Sequence, residues 1–191
     1  MSDQTLQALL SRHSTKFVSA PGPDKAQLRQ MFEAAARAPD HGALRPWRFA
    51  VIQGEAIGRF ADLAINAVKA SGDARMTPEK EKSTRQWLAA VPTLIAVAQK
   101  IDHNPKIPEQ EQLLAAGAAT MNLLNAAHLL GFGAFWSTGL GTYLDSVQEA
   151  LGFDSLDYRF LGFIAVGTPS GKVPTAVRPE PERFVQEWTG A

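Results

Sequence analysis

Residues 113–144 contain no Asp, Glu, Lys or Arg, and this charge-free run constrains the fold more than any other feature of the chain. Its first part belongs to an Ala/Leu-rich stretch from Pro108 to Gly131 that reads as one helix of 24 residues, about 36 Å long. A run of about 20 apolar residues is enough to cross a bilayer. Thr120, Asn122, Asn125 and His128, the weak hydrophobicity of Ala and the lack of a basic flank argue against a membrane span. A helix apolar on most of its faces is better explained by burial on both sides, which in a chain of 191 residues often means a subunit interface.

Outside this run charge is plentiful but balanced, with 19 Lys+Arg against 19 Asp+Glu. Net neutrality argues against nucleic acid or an anionic membrane as partner, because both require clustered basic charge. The absence of Cys excludes disulfides, thiolate metal sites and thiol catalysis. The start of the chain, MSDQTLQALLSRHS, shows no apolar secretory segment, so the expected location is cytoplasmic.

Periodicity places the remaining elements. Leu6, Leu9 and Leu10 give residues 3–11 a helical face, and Asp24 is positioned to cap a helix carrying Leu28, Met31, Phe32, Ala35 and Ala36 that stops near Pro39. Segments 47–53, 93–100, 133–138 and 158–169 read as strands, and 55–70 as a helix. The polar run 73–87 reads either as a solvated helix or as a lid beside a pocket. The tail from Val173, with Pro174, Pro179 and Pro181 before Phe184, Val185 and Trp188, reads as an extended arm that docks by its apolar end.

The familiar catalytic signatures are missing. His13, His41, His103 and His128 lack metal-ligand spacing, G-x-S-x-G does not occur, and GTPSGKV (167–173) and GLGTYL (139–144) are incomplete phosphate or dinucleotide loops. With no acid-base pair evident, a bound cofactor is the natural carrier of any chemistry. Three stretches have suitable side chains. Arg12-His13-Ser14-Thr15-Lys16 offers cations and hydroxyls for a phosphate, or else forms a solvated helix end. His41 and Arg45 suit a polar ring edge, or else a structural turn. Trp136-Ser137-Thr138 sets a flat side chain and two hydroxyls at a strand end, or else a packed Trp.

The order R-H-S-T-K-F, then A-R-A-P-D-H-G-A-L-R-P-W-R-F, then the Ala-rich helix ending G-F-G-A-F-W-S-T-G, then L-G-F-I-A-V-G-T-P resembles the FMN-dependent nitroreductase family from about Leu6 to Phe184. Its small YdjA-like NAD(P)H nitroreductase branch is most similar. The resemblance implies an α+β fold, with a mostly antiparallel central sheet wrapped by helices. It implies one domain over 1–191 in an intertwined homodimer, with 173–191 packing on the partner. It also implies ping-pong hydride transfer from NADH or NADPH through FMN to a nitroaromatic, quinone or similar small electron-poor acceptor; a non-catalytic FMN carrier or sensor is the alternative.

The implied cofactor-binding residues are Arg12, His13 and Ser14 at the phosphate and ribityl chain, His41 and Arg45 along the isoalloxazine, Trp136, Ser137 and Thr138 closing the pocket from the other subunit, and Lys172 as a second phosphate ligand. Arg45 departs from the Asn or Gln usual in relatives. A guanidinium about 5 Å from the N1/C2 carbonyl edge, at an effective dielectric of about 20, would favour added negative charge on the ring by roughly 3 kcal/mol.

Overall fold

The computed structural model describes residues 2–103, 106–171 and 177–190. Six helices, α1 (Ser2–Ser11), α2 (Lys25–Ala35), α3 (Glu55–Ala70), α4 (Pro78–Ala90), α5 (Glu109–Leu129) and α6 (Asp145–Ala150), surround strands β1 (Val18–Ser19), β2 (Trp47–Gln53), β3 (Thr93–Lys100), β4 (Gly133–Ser137) and β5 (Tyr158–Pro169). Local chemistry sets several of the boundaries. Asp24 and Gln27 form a reciprocal capping box at the start of α2, Gln27 N donating to Asp24 Oδ1 and Asp24 N to Gln27 Oε1. Thr77 caps α4 and Pro78 occupies its first turn, so the helix starts later than the polar run 73–87 predicts and extends to Ala90. The Ala/Leu-rich helix α5 is 21 residues long, slightly shorter than its sequence pattern, because Pro108 and Leu130 serve as its caps.

All strand pairs are antiparallel, in the order β1-β5-β3-β2, with β4 also on β5. Strand β5 pairs with β3 along one edge. Its other edge is shared end to end by β1, opposite Thr168–Pro169, and by β4, opposite Phe163–Gly167. The strand period of two sends alternate residues of β3 to different layers. Leu94, Ala96 and Ala98 pack with Phe163, α3, α4 and α6, whereas Ile95 and Val97 pack with Ile164, Val166, α2 and α5. Both faces of the sheet are therefore covered, and burial of α5 against one of them accounts for its lack of charge after Glu111. Asn122 of α5 donates to the Ala34 carbonyl of α2 at 3.2 Å and locks the two helices of that layer together. Among the described residues no helix is long and apolar enough to cross a membrane.

Gly162 supplies a bend that a side chain would block. Its φ is +109°, and an added Cβ would lie 2.4 Å from the Ser137 carbonyl oxygen at the end of β4. Gly162→Ala is expected to cost about 2 kcal/mol or more by urea denaturation, since both the φ value and the backbone contact oppose it.

Candidate functional site

The segment after α1 is a strap tied down through its backbone. Thr15 N donates to Ala134 O at 2.9 Å, the Trp87 indole to Lys16 O at 2.9 Å, and Ser170 N to Phe17 O at 2.9 Å. These bonds leave Ser14 and Lys16 exposed. His13 Nδ1 donates to the Ser11 carbonyl at 3.0 Å, and its ring meets His128 edge-on with centroids 6.1 Å apart. The Ser11 hydroxyl donates to Ala8 O, so His128 Nε2 is the donor in its 3.0 Å bond to Ser11 Oγ.

Arg12 is half-buried here and makes no ion pair with a carboxylate among the described residues. Arg178, from the C-terminal arm, donates from Nη2 to the Arg12 carbonyl at 3.3 Å. Burial, and then the nearby charge of Arg178, depress the affinity of Arg12 for its proton. Two like charges held together without a counterion form a receptor for an anion, and the guanidinium fork suits a phosphate. Arg178 escapes recognition in the sequence because nothing local ties it to Arg12, 166 residues earlier; being the first Arg of the Pro-rich tail is its one signal. Lys172 lies outside the described residues.

The strand β4 leads away from the strap. From Ala134, bonded to Thr15, to Thr138 the chain travels about 13 Å at strand rise. The Trp136 indole donates to Leu161 O at 2.8 Å and is pinned to β5. The Ser137 hydroxyl accepts from Gly139 N at 3.1 Å, and the following loop holds Leu140 at φ +58° and Gly141 at φ +71°. Backbone strain of this kind at a non-glycine residue is characteristic of ligand-binding segments.

Beyond Thr138 lies a cavity of ≈ 650 Å³ between this loop and residues 71–80. Asp73, Arg75, Met76 and Lys80 line it, so the polar run is both a solvated helix over α4 and one wall of a pocket. Asp73 accepts from Arg75 at N (2.9 Å), Nε (2.9 Å) and Nη2 (2.6 Å). These bonds pull the Asp73 carboxyl down to about 2.

The His41–Arg45 turn is also rigid. Gly42, Ala43 and Arg45 have φ of +73°, +54° and +50°. Asp40 Oδ2 accepts from Arg45 N at 2.6 Å, and Arg48 Nη1 donates to Arg45 O at 2.7 Å. His41 Nδ1 donates to Glu111 Oε2 at 2.5 Å, which fixes the turn at the N-terminal end of α5. His13 and Ser11 meet the same helix at His128, 17 residues further on, or about 26 Å away. One chain thus sets Arg12, His13 and Ser14 at one end of the sheet and His41 and Arg45 at the other, with Trp136, Ser137 and Thr138 on the strand that runs from the first toward the second, Ser137 opposite Phe163. Trp136–Thr138 are expected to close the pocket from a second subunit; within one chain the Thr15–Ala134 bond joins the start of that strand to the strap.

An antiparallel sheet covered by helices on both faces, in this strand order, is an α+β fold of the nitroreductase-like class. The chain matches the crystal structure of a nitroreductase-like family protein from Bacillus cereus with a TM-score of 0.84, at 20% identity, over 97% of this chain and 96% of that one. It belongs to the Nitroreductase family, whose model matches residues 9–168. It is 35% identical to the Escherichia coli protein "Putative NAD(P)H nitroreductase YdjA" over 94% of this chain and 97% of that one. A Desulfovibrio desulfuricans structure, "a putative nitroreductase in complex with fmn", shares 25% identity and a TM-score of 0.73 over 96% of each chain.

The Asp73 latch has a defined pH response. A carboxyl held at about 2 when folded, against an ordinary value of 3.8, contributes local order that is complete above pH 3.8 and is lost only as pH falls through about 2. Trypsin cleavage after Arg75 and Lys80 is therefore expected to be slow and unchanged in relative rate from pH 7 to 9, and several-fold faster in Asp73→Ala.

Proposed function

We propose that the protein is an FMN-dependent NAD(P)H oxidoreductase that works as a homodimer, with two equivalent sites each built from both copies. The observation that carries this reading is the Arg12–Arg178 pair, half-buried at Arg12 and lacking a carboxylate, at one end of a strand about as long as a flavin. The residues fit FMN. Arg12, Ser14 and Arg178, with His13 beside them, hold the phosphate and ribityl chain, and Ser137 and Thr138 lie where the ring follows β4. Lys172 is proposed as an additional phosphate ligand from the sequence alone. FMN, when bound, supplies two-electron hydride chemistry, inward from NAD(P)H and outward to an electron-poor small molecule such as a nitroaromatic or quinone, in alternate half-reactions.

The protein's own contribution is positioning and exclusion of water. An extended FMN covers the span from Ser14 to Thr138, and the separation of strap and turn by about 26 Å along α5 supports completion of the site from a second copy. A two-fold pairing that lays His41 and Arg45 of the second copy over the ring completes the site. Leu10, Leu114 and Leu129 are exposed in the single chain, and so are Phe184 and Trp188 of the arm, Trp188 at 82%. Apolar surface in this quantity supports a second copy as its cover. The soluble, cytoplasmic setting expected from the sequence suits such an enzyme.

Purified protein is expected to be yellow and to bleach under NADH or NADPH without oxygen, then recover with a nitroaromatic or quinone. Yellow protein that neither nicotinamide bleaches would replace the enzyme by a carrier or sensor. Arg178→Ala is expected to weaken FMN binding about 10- to 100-fold by fluorescence titration, equivalent to about 1.4–2.8 kcal/mol. Arg45→Gln is expected to lower the midpoint potential of the bound flavin by some tens of millivolts. An unchanged potential in the loaded variant removes Arg45 from the ring edge.

A further inference from the structure

We infer that the cavity beyond Thr138 receives the electron acceptor, and that Lys80 selects acceptors whose aromatic ring carries an anionic substituent. This deepens the oxidoreductase reading and rests on it. Val68, Leu140 and Leu144 give the cavity an apolar floor, and its ≈ 650 Å³ accommodates a substituted aromatic ring. Thr138 belongs both to this cavity and to the proposed flavin site, so an occupant lies next to the ring from which it would be reduced.

The charges around the cavity are unequal. Asp73 and Arg75 neutralise each other through their bidentate contact. Of the neighbouring charges on α3 and α4, Glu81 binds Lys69 and Arg85 and Arg85 binds Asp62, whereas Glu79 bonds to Thr77 and its own backbone and lies outside the cavity lining. Lys80 makes no ion pair among the described residues, which leaves the cavity with one uncompensated positive charge. A monoanion such as an aromatic carboxylate matches that charge.

The wall bearing Lys80 is fixed before anything binds. Lys80 N donates to the Thr77 hydroxyl at 3.2 Å in the cap of α4, and Met76 N donates to Asp73 O at 3.0 Å in the preceding turn. The opposite wall carries the strained Leu140. A preformed cavity with one unpaired cation discriminates by charge as well as by shape.

The test compares 4-nitrobenzoate with its neutral analogue 4-nitrobenzyl alcohol, using FMN-loaded protein and saturating NADH. The wild-type ratio of kcat/KM, acid over alcohol, is expected to exceed one. It should fall about five- to tenfold in Lys80→Gln and be largely restored in Lys80→Arg, with the ratio shrinking as salt is added. An unmoved ratio in Lys80→Gln overturns the inference, as does a change that appears only between NADPH and NADH, which would assign the cation to the donor's phosphate. Equilibrium dialysis of 4-nitrobenzoate reads the same contact without turnover, on loaded protein or on cofactor-free protein if FMN does not bind. Equal affinity in wild type and Lys80→Gln overturns the inference there too. Failure to bind FMN, or to bleach under NADH, instead counts against the oxidoreductase reading.

Discussion

The edge of β5 opposite β3 is where the architecture and the site meet. That edge is occupied first by β1 and then by β4, so the residues just before β1 must run beside the start of β4. The Thr15–Ala134 bond is a consequence of that register, and with it the strap of cations and hydroxyls is set at the head of a strand that ends in Ser137. The bend at Gly162 lets β4 stay close to β5 to its last residue. A slip of one residue in this pairing would turn every side chain of β4 to the opposite layer. The Arg12 strap, the strand and the cavity beyond it thus share one origin.

Helix α5 performs the complementary task of separation. It is rigid, buried along most of its length, and touched by the His41 turn at one end and the strap at the other. Backbone hydrogen bonds make its length a fixed distance that side-chain movement cannot close. The same helix leaves Leu114, Met121 and Leu129 exposed. The helix that holds the strap and the turn of one chain apart is therefore also the one that leaves apolar surface exposed.

Much of the fold was legible in the sequence because its signals are local. Strand 93–100 and the helix at 55–70 have the observed bounds, and Asp24 does cap α2. The short elements β1 and α6 were not legible: two residues of β1 have no period, and α6 is too short to show a face. Residues 73–87 were ambiguous for a physical reason, since a helix with one side in water and a pocket wall demand the same polar composition. Arg178 was hidden because the like-charge contact that marks it joins residues remote in the chain.

The sequence by itself determined the chain's family, through ordered short motifs, and most of its helices and strands, through periodicity and caps that act over a few residues. Only the tertiary structure decided which candidate residues meet. Strand register and the length of α5 are long-range properties, and they set the strap and the His41 turn at opposite ends of the sheet with Trp136–Thr138 on the strand leading from the strap. They also bring Arg178 to Arg12 and leave Lys80 as the unpaired charge of a cavity, because charge pairing depends on distances through space that no local pattern encodes.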